Sequence, residues 1–292
     1  MNGPEAHGSP VAGGSAWWFA TPCRDGSAGT ADVSLFCLPH AGAGPIVFRE
    51  WSTLLDPRID VVPVQYPGRP PRLSEPPETS LKRLAQRLAG PVAERAGEGP
   101  YALFGHSMGA LVAYEVACLL TRLGQPPVRL LVSGQTAPHL YRPTRVHALS
   151  DEGLVDHISR LQGTPEDVLA NPSLLELLLP VLRADFALCE SYGYEEMPPL
   201  TADVTVLGGA DDPGVEPGLL DRWGDLTGGA CDVRVLPGGH FYLFDQLPTV
   251  MDLIESAVRP AGGRAPGADR ERTGPGAGAE TVVDRHGRGR VR

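Results

Sequence analysis

Between residues 33 and 258, short apolar runs rich in β-branched side chains alternate with longer stretches whose apolar positions recur every three to four residues. Val33-Ser-Leu-Phe-Cys-Leu38 and Ile59-Asp-Val-Val-Pro-Val64 are runs of the first kind, bounded by Pro and Gly, and predict strands. Thr79 to Ala96 carries apolar residues at 81, 84, 85, 88, 92 and 93, the period of an amphipathic helix, with a kink expected at Pro91. A strand over Tyr101–Phe104 and a helix over Met108–Leu123, stopped at Gly124, come next, followed by a strand over Val128–Ser133. After a break the pattern resumes with strand Val204–Leu207, helix Pro217–Leu226, strand Cys231–Leu236 and a last helix from about Gln246 to Val258. Such alternation predicts an α/β protein, a mostly parallel central sheet with helices on both faces.

The break, residues 139–199, predicts helices alone. Ser150-Asp151-Glu152 opens one that runs to Leu161, and Asn171-Pro172 opens another through Tyr192. Leu174, Leu175, Leu177, Leu178, Leu179, Val181 and Leu182 make the second helix apolar around most of its circumference. Two readings follow: a helix buried in its own small subdomain, or a lid whose inner face lines a pocket. The expected organisation is therefore a flexible leader (1–30) in which Trp17-Trp18-Phe19 is able to pack, an α/β core (31–138 and 200–260), a helical lid (139–199) and a disordered tail (261–292) with seven arginines.

Composition narrows the function. The formal charge of −10 argues against nucleic acid and anionic membranes as partners. No apolar run approaches the roughly 20 residues that span a bilayer, and Met1–Ser15 lacks a signal-peptide pattern. The five cysteines are scattered, with no C-x-x-C pair, as expected of thiols in a reducing compartment. A cytoplasmic monomer without cofactor or metal is expected.

The candidate chemistry centres on Gly105-His106-Ser107-Met108-Gly109, where an apolar strand enters a serine and a helix leaves it. That is the layout of a nucleophile elbow, whose tight turn leaves no room for a Cβ at either glycine. G-x-S-x-G alone arises readily by chance in a glycine-rich chain, so its weight depends on a base and an acid further on. Of eight histidines, His7 and His286 lie near the ends, and His139, His147 and His157 fall in the helical break. His106 is expected to support the turn, and His40 lies in the turn after the first strand. His240, in Pro237-Gly-Gly-His-Phe241 after the last strand, is the candidate general base, on a loop expected to be flexible. The acid should stand between serine and histidine in the chain. Leu207-Gly-Gly-Ala-Asp-Asp-Pro213 offers Asp212 ahead of Asp211. An oxyanion needs two preorganised donors. The N–H of Met108 is one, and the small-residue loop His40-Ala41-Gly42-Ala43-Gly44 supplies the other, Ala41 ahead of Gly42. A phosphate-cradling loop would instead need G-K-[ST] or G-x-G-x-x-G at a helix start, and neither occurs.

Six segments in order, Cys37-Leu-Pro-His-Ala-Gly42, Val64-Gln-Tyr-Pro-Gly-Arg69, Phe104-Gly-His-Ser-Met-Gly109, Ser133-Gly134, Gly209-Ala-Asp-Asp-Pro213 and Pro237-Gly-Gly-His-Phe-Tyr242, span about 33–258. In these the chain resembles the type II, or external, thioesterases of polyketide and nonribosomal peptide assembly lines. The resemblance implies an α/β-hydrolase fold, a triad of Ser107, Asp212 and His240, and Ala41 and Met108 as oxyanion donors. It implies hydrolysis of stalled or wrongly primed acyl groups from the phosphopantetheine arm of acyl or peptidyl carrier proteins. The chain departs from the family at Gly42-Ala43-Gly44, where Gly-Gly-Ser is usual. Because carrier proteins are acidic, an arginine patch of Arg69, Arg72, Arg142 and Arg145 is expected to help meet them. The rivals are a chain-releasing thioesterase or cyclase, disfavoured by low-complexity ends without a carrier sequence, and a general serine esterase, disfavoured by Gln65-Tyr-Pro-Gly-Arg69. A third rival is a binding module that has lost catalysis.

Overall fold

The computed structural model of the protein describes residues 15–20 and 31–259. The expectations for the rest of the leader and for the tail beyond 259 lie outside these residues. Six strands, β1 Val33–Leu38, β2 Ile59–Pro63, β3 Tyr101–His106, β4 Arg129–Ser133, β5 Asp203–Gly209 and β6 Cys231–Leu236, form one sheet in the order β2-β1-β3-β4-β5-β6. Every pairing within it is parallel.

Period-two alternation explains the two covered faces. Leu35, Cys37, Ala102, Phe104 and Leu131 point to a core shared with Phe48, Trp51 and the C-terminal helix. Phe36, Leu38, Leu103, Leu130 and Val132 point the other way, to a core shared with the helices that follow β2 and β3. The helices, in chain order, are α1 Trp51–Leu54, α2 Leu81–Ala96, α3 Met108–Arg122, α4 Asp151–Leu161, α5 Glu166–Leu169, α6 Pro172–Glu190, α7 Tyr242–Asp245 and α8 Leu247–Val258. Ser80 caps α2 by accepting the Arg83 N–H, and Ser150 caps α4 by accepting that of Gly153. Asn171 caps α6 with Pro172 in its first turn, as the Asn-Pro pair predicts.

Strand order places the functional loops. From β1 the chain moves out to β2, then returns past β1 to β3, so the order reverses between β1 and β3. In open parallel sheets a crevice forms at such a switch point, outside the carboxyl ends of the strands. The loop after β1 and the serine after β3 flank that crevice.

Three features differ from the sequence pattern. Pro217–Leu226 is a 3₁₀ helix rather than an α-helix. It is pinned by Trp223, which is buried and donates its ring N–H to the Gln135 carbonyl at 2.9 Å. The short α7 precedes the last helix, which starts at Leu247. The apolar circumference of α6 is divided: Leu182, Leu188 and Cys189 are buried, while Leu174 and Leu177 are 41% and 74% exposed. Its second half packs with Val146, Leu154 and Ile158 of the same insertion, joined by Leu178 and Leu179, while Leu174 and Leu177 of its first half stay largely open to solvent. Trp18 is buried and Phe19 bridges to Val64, so the tryptophan segment packs as its sequence predicts. Among the described residues no helix is long and apolar enough to cross a membrane.

Candidate active site

β3 delivers the serine. His106 ends the strand, and Ser107 follows at φ 54°, ψ −117°, a left-handed conformation that a side chain rarely adopts. The Ser107 N–H donates to the Ser133 carbonyl at 2.8 Å, tying the turn to β4. A Cβ at Gly105 would lie 2.1 Å from the Gly109 carbonyl oxygen, and one at Gly109 would lie 2.1 Å from that of Leu38. Both glycines are therefore required by close backbone approach, and the backbone strain at Ser107 lifts its hydroxyl above the sheet at the N-terminus of α3. That helix end favours negative charge developing beside the serine.

The neighbouring strand ends bring the candidate base and acid. The loops after β5 and β6 are joined by hydrogen bonds from the Ala210 N–H to Leu236 (2.8 Å) and from the Asp211 N–H to Gly238 (2.9 Å). The glycine loop carrying His240 is thus fastened to the loop carrying the aspartates, where the sequence suggested a free one. His240 Nδ1 lies 2.7 Å from Asp212 Oδ2, and its Nε2 lies 3.0 Å from Ser107 Oγ. With the proton on Nδ1, the ring donates to the carboxylate and accepts the serine hydroxyl. The second oxygen of Asp212 accepts the Gly214 N–H at 2.8 Å. Asp212 is buried and Asp211 exposed.

Two more imidazoles surround His240. The His106 ring stands 5.1 Å from that of His240, and its Nδ1 is 2.9 Å from Ser133 Oγ, which meets the Tyr242 hydroxyl at 2.6 Å. His40 packs edge-on against Phe241, 4.8 Å between ring centres, and against His106 at 5.7 Å. Burial, then the nearby His240, pushes His40 down to about 3. The same causes, with His40 added, hold His106 well below the ordinary imidazole range. Both rings are therefore neutral at pH 7, which leaves His240, beside the Asp212 carboxyl, as the imidazole within reach of Ser107. His139, His147 and His157 lie elsewhere, near Asp225, Glu190 and Phe186.

Ala41 and Gly42 sit in the turn after β1. Gly42 has φ 77°, and a Cβ there would lie 2.6 Å from Leu182 of α6. Its N–H donates to Asp185 Oδ2 at 2.7 Å. Among the described residues no hydrogen bond uses the N–H of Ala41 or of Met108, so of the two donors weighed in this loop Gly42 is engaged and Ala41 is available. Beside the loop lies a cavity of about 870 Å³. Gly42 and Gly44 form its inner wall, with Phe19, Phe48, Val61, Leu174, Leu177, Leu178 and Val181 among its mostly apolar lining. Ser107 and His240 do not line it; Gly42 is where cavity and loop meet.

The expected arginine patch is half overturned. Arg69 and Arg72 are 5% and 2% exposed, so neither presents a surface charge to a partner. Arg69 donates to Asp185. Arg72 makes a bidentate pair with Glu75, both bonds 2.6 Å, and lies over the Trp18 ring. Each buried guanidinium found a carboxylate, which is what allows it to leave water. Arg142 and Arg145 are exposed. Sequence reasoning missed Asp185, Ser133 and Tyr242. A signal for Asp185 existed: a charge on an otherwise leucine-rich helix must find a partner if buried.

Strand, serine and helix at the switch point of a parallel sheet define the class as an α/β-hydrolase fold. The thioesterase-domain model matches residues 33–258. The chain is 41% identical over 215 residues to the thioesterase PikA5 of Streptomyces venezuelae, covering 73% of this chain and 76% of that one. It is 38% identical over 231 residues to the gramicidin S biosynthesis protein GrsT of Aneurinibacillus migulanus, covering 78% and 90%. The solved structure of the type II thioesterase BorB from the borrelidin biosynthetic cluster superposes with a TM-score of 0.76 at 37% identity, over 83% of this chain and 98% of that one. The chain belongs to the thioesterase family and is a thioester hydrolase.

Proposed function

We propose that the protein is a type II thioesterase that clears acyl groups from the phosphopantetheine thiol of acyl or peptidyl carrier proteins in a polyketide or nonribosomal peptide pathway. The observation that carries the mechanism is the unbroken line from Asp212 through His240 to Ser107, at 2.7 and 3.0 Å. Ser107 Oγ attacks the thioester carbonyl as its proton passes to His240 Nε2, and Asp212 stabilises the imidazolium. The N–H groups of Ala41 and Met108 receive the oxyanion. Collapse breaks the C–S bond, and His240 returns its proton to the departing sulfur. Water then gives a proton to His240 and attacks the acyl-enzyme carbonyl, and collapse breaks the bond to Ser107 Oγ, which takes the proton back from His240 as the acid leaves. No other group has to move a proton, since His40 and His106 stay neutral.

The cavity supports an acyl substrate. Its apolar lining suits an alkyl or polyketide chain, and the first half of α6, with its exposed leucines, forms one wall as a lid would. With Arg69 and Arg72 buried, an acidic carrier would meet Arg142 and Arg145 on the insertion, together with the exposed apolar side chains at the cavity rim. Relatives named for gramicidin S and cadicidin biosynthesis support the assembly-line setting.

The decisive measurement compares acyl-carrier-protein thioesters with oxygen esters of the same acyl group. A kcat/KM at least about 10-fold higher on the carrier thioester is expected, since sulfur donates less electron density to the carbonyl than an ester oxygen does, a thiolate leaves more readily than an alkoxide, and the carrier adds contacts. Preference for the oxygen ester would replace this reading with that of a general esterase.

A further inference from the structure

Asp185 stands apart from the triad yet is as deeply enclosed, at 2% exposure. It lies on α6, within the insertion, and its neighbours come from two distant loops. One is Arg69, 116 residues away and itself 5% exposed, whose guanidinium donates to Asp185 Oδ2. The other is Gly42, whose N–H donates to the same oxygen at 2.7 Å across 143 residues. Leu182, one turn before Asp185, packs so closely that no Cβ fits at Gly42. The turn after β1 is thus gripped twice by α6, once by packing and once by a charge-assisted hydrogen bond of the stronger kind. Gly42, Arg69 and the α6 residues Leu178 and Val181 also line the cavity.

Gly42 immediately follows Ala41, so their N–H groups lie on successive peptide planes that meet at the Ala41 Cα, and the turn that holds them is closed by the Ala43 N–H donating to the His40 carbonyl at 3.1 Å. Fixing the Gly42 N–H therefore fixes how the turn presents the Ala41 N–H. A hole whose donors are held before the reaction costs no reorganisation when the oxyanion forms, whereas a loose one does. Burial pushes the Asp185 carboxyl up, and Arg69 together with the Gly42 N–H opposes that rise.

We propose that Asp185 is a positioning residue for thioester hydrolysis: from the insertion helix it holds the Gly42 N–H, with Arg69 as its counter-ion, and so sets the oxyanion-binding turn from the same wall that contacts the acyl chain. This deepens the proposed mechanism and rests on Ala41 as a donor. The cavity wall and the hole are then one mechanical unit, and a displacement of α6 disturbs both.

The test compares two double variants that each remove the buried ion pair. Replacing such a pair by uncharged groups of similar volume is commonly neutral for stability. Arg69→Met with Asp185→Asn keeps an oxygen able to accept the Gly42 N–H, and Arg69→Met with Asp185→Leu does not. The asparagine double is expected to keep kcat within about 5-fold of the parent. The leucine double is expected to lose kcat by about 30- to 100-fold, somewhat less than the loss of a whole oxyanion donor, at an unchanged KM for a short acyl thioester. Affinity for an acyl trifluoromethyl ketone, whose serine adduct places an oxyanion in the hole, should fall in step with kcat. Equal kcat in the two doubles overturns the proposal. So does failure of both to melt cooperatively, which would make the pair a requirement of the fold. Ser107→Ala separates the two levels. Full turnover in that variant removes the serine mechanism itself, whereas an inactive Ser107→Ala with equal doubles removes only the role of Asp185.

Discussion

Asp212 and Asp185 are both sequestered from water, at 8% and 2% exposure, and each accepts a backbone N–H alongside a cationic or cation-forming side chain. Their partners make them different. In the proposed mechanism Asp212 faces an imidazole whose charge appears and vanishes within each catalytic cycle, so its stabilisation is delivered when the proton arrives. Asp185 faces the Arg69 guanidinium, which takes no part in the proposed proton transfers, so its pull on Gly42 does not change through the cycle. One carboxylate answers to the chemistry and the other sets the geometry in which the chemistry happens. The fold separates them accordingly: Asp212 follows β5 on the sheet that holds Ser107, and Asp185 rides on a helix of the insertion.

The largest effect that tests this contrast is expected from Asp212→Asn. An amide can offer its oxygen to Nδ1–H, but its NH₂ competes as a donor and favours the wrong imidazole tautomer. A loss of kcat of about 10³- to 10⁴-fold is expected, with KM nearly unchanged. Steady-state kinetics on one short acyl thioester, run beside the Asp185 double variants, ranks the two aspartates directly. If Asp212→Asn cost less than the leucine double, the division between a responding and a fixed carboxylate would be reversed.

Sequence reasoning reached the two carboxylates unequally, for a physical reason. β1 follows its hydrophobic run residue for residue, because a buried parallel strand is a near-continuous apolar segment bracketed by turns, and β6, a half-exposed edge strand, keeps its predicted bounds through alternation of apolar with polar residues. The elbow was legible because close backbone approach forces glycine at 105 and 109. Asp212 sits in a short turn after a strand, where local spacing separates it from Asp211. Asp185 has no such local mark, since its partners are more than 100 residues away and only the tertiary fold joins them. The same non-locality hid the burial of Arg69 and Arg72, which in isolation look like surface charges. Pro217–Leu226 carries helical periodicity but forms a 3₁₀ helix, with Trp223 held by the distant Gln135 carbonyl, a contact that local periodicity does not show.

A smaller effect separates the wall from the hole. Leu177 lines the cavity yet is 74% exposed, so a substitution there perturbs substrate contact with little loss of packing. Leu177→Asp is expected to raise KM for a long-chain acyl thioester on the order of 10-fold while leaving acetyl thioester turnover within about twofold. Measuring both chain lengths checks it. An equal fall in kcat for both would mean that this part of α6 acts on the hole, as Asp185 is proposed to do, and not on the chain.

The smallest effect uses the second buried arginine of the same segment. Arg72 resembles Arg69 in burial and in pairing with a carboxylate, but Glu75 touches the tryptophan segment and not the turn after β1: it accepts the Trp17 ring N–H at 2.9 Å. The hydrogen bonds from Arg72, chiefly, draw the Glu75 carboxyl from 4.5 down to about 2. A carboxylate held low in the folded state stabilises the fold above its unfolded pKa, and that contribution fades as the pH falls through the folded value. Glu75→Gln should therefore melt at a lower temperature than the parent at pH 7, and the gap should close as the pH falls from about 4.5 toward 2. Because this carboxylate is partly exposed, solvent screening keeps the gap small. Turnover at pH 7 should be unchanged. Thermal melts at pH 7, 4 and 3 read the slope, and a gap that stays constant would assign Glu75 a packing role instead. A loss of kcat without a change in melting would undo the distinction between the two arginines, since it would tie the Arg72 pair to the hole that Arg69 is held to serve.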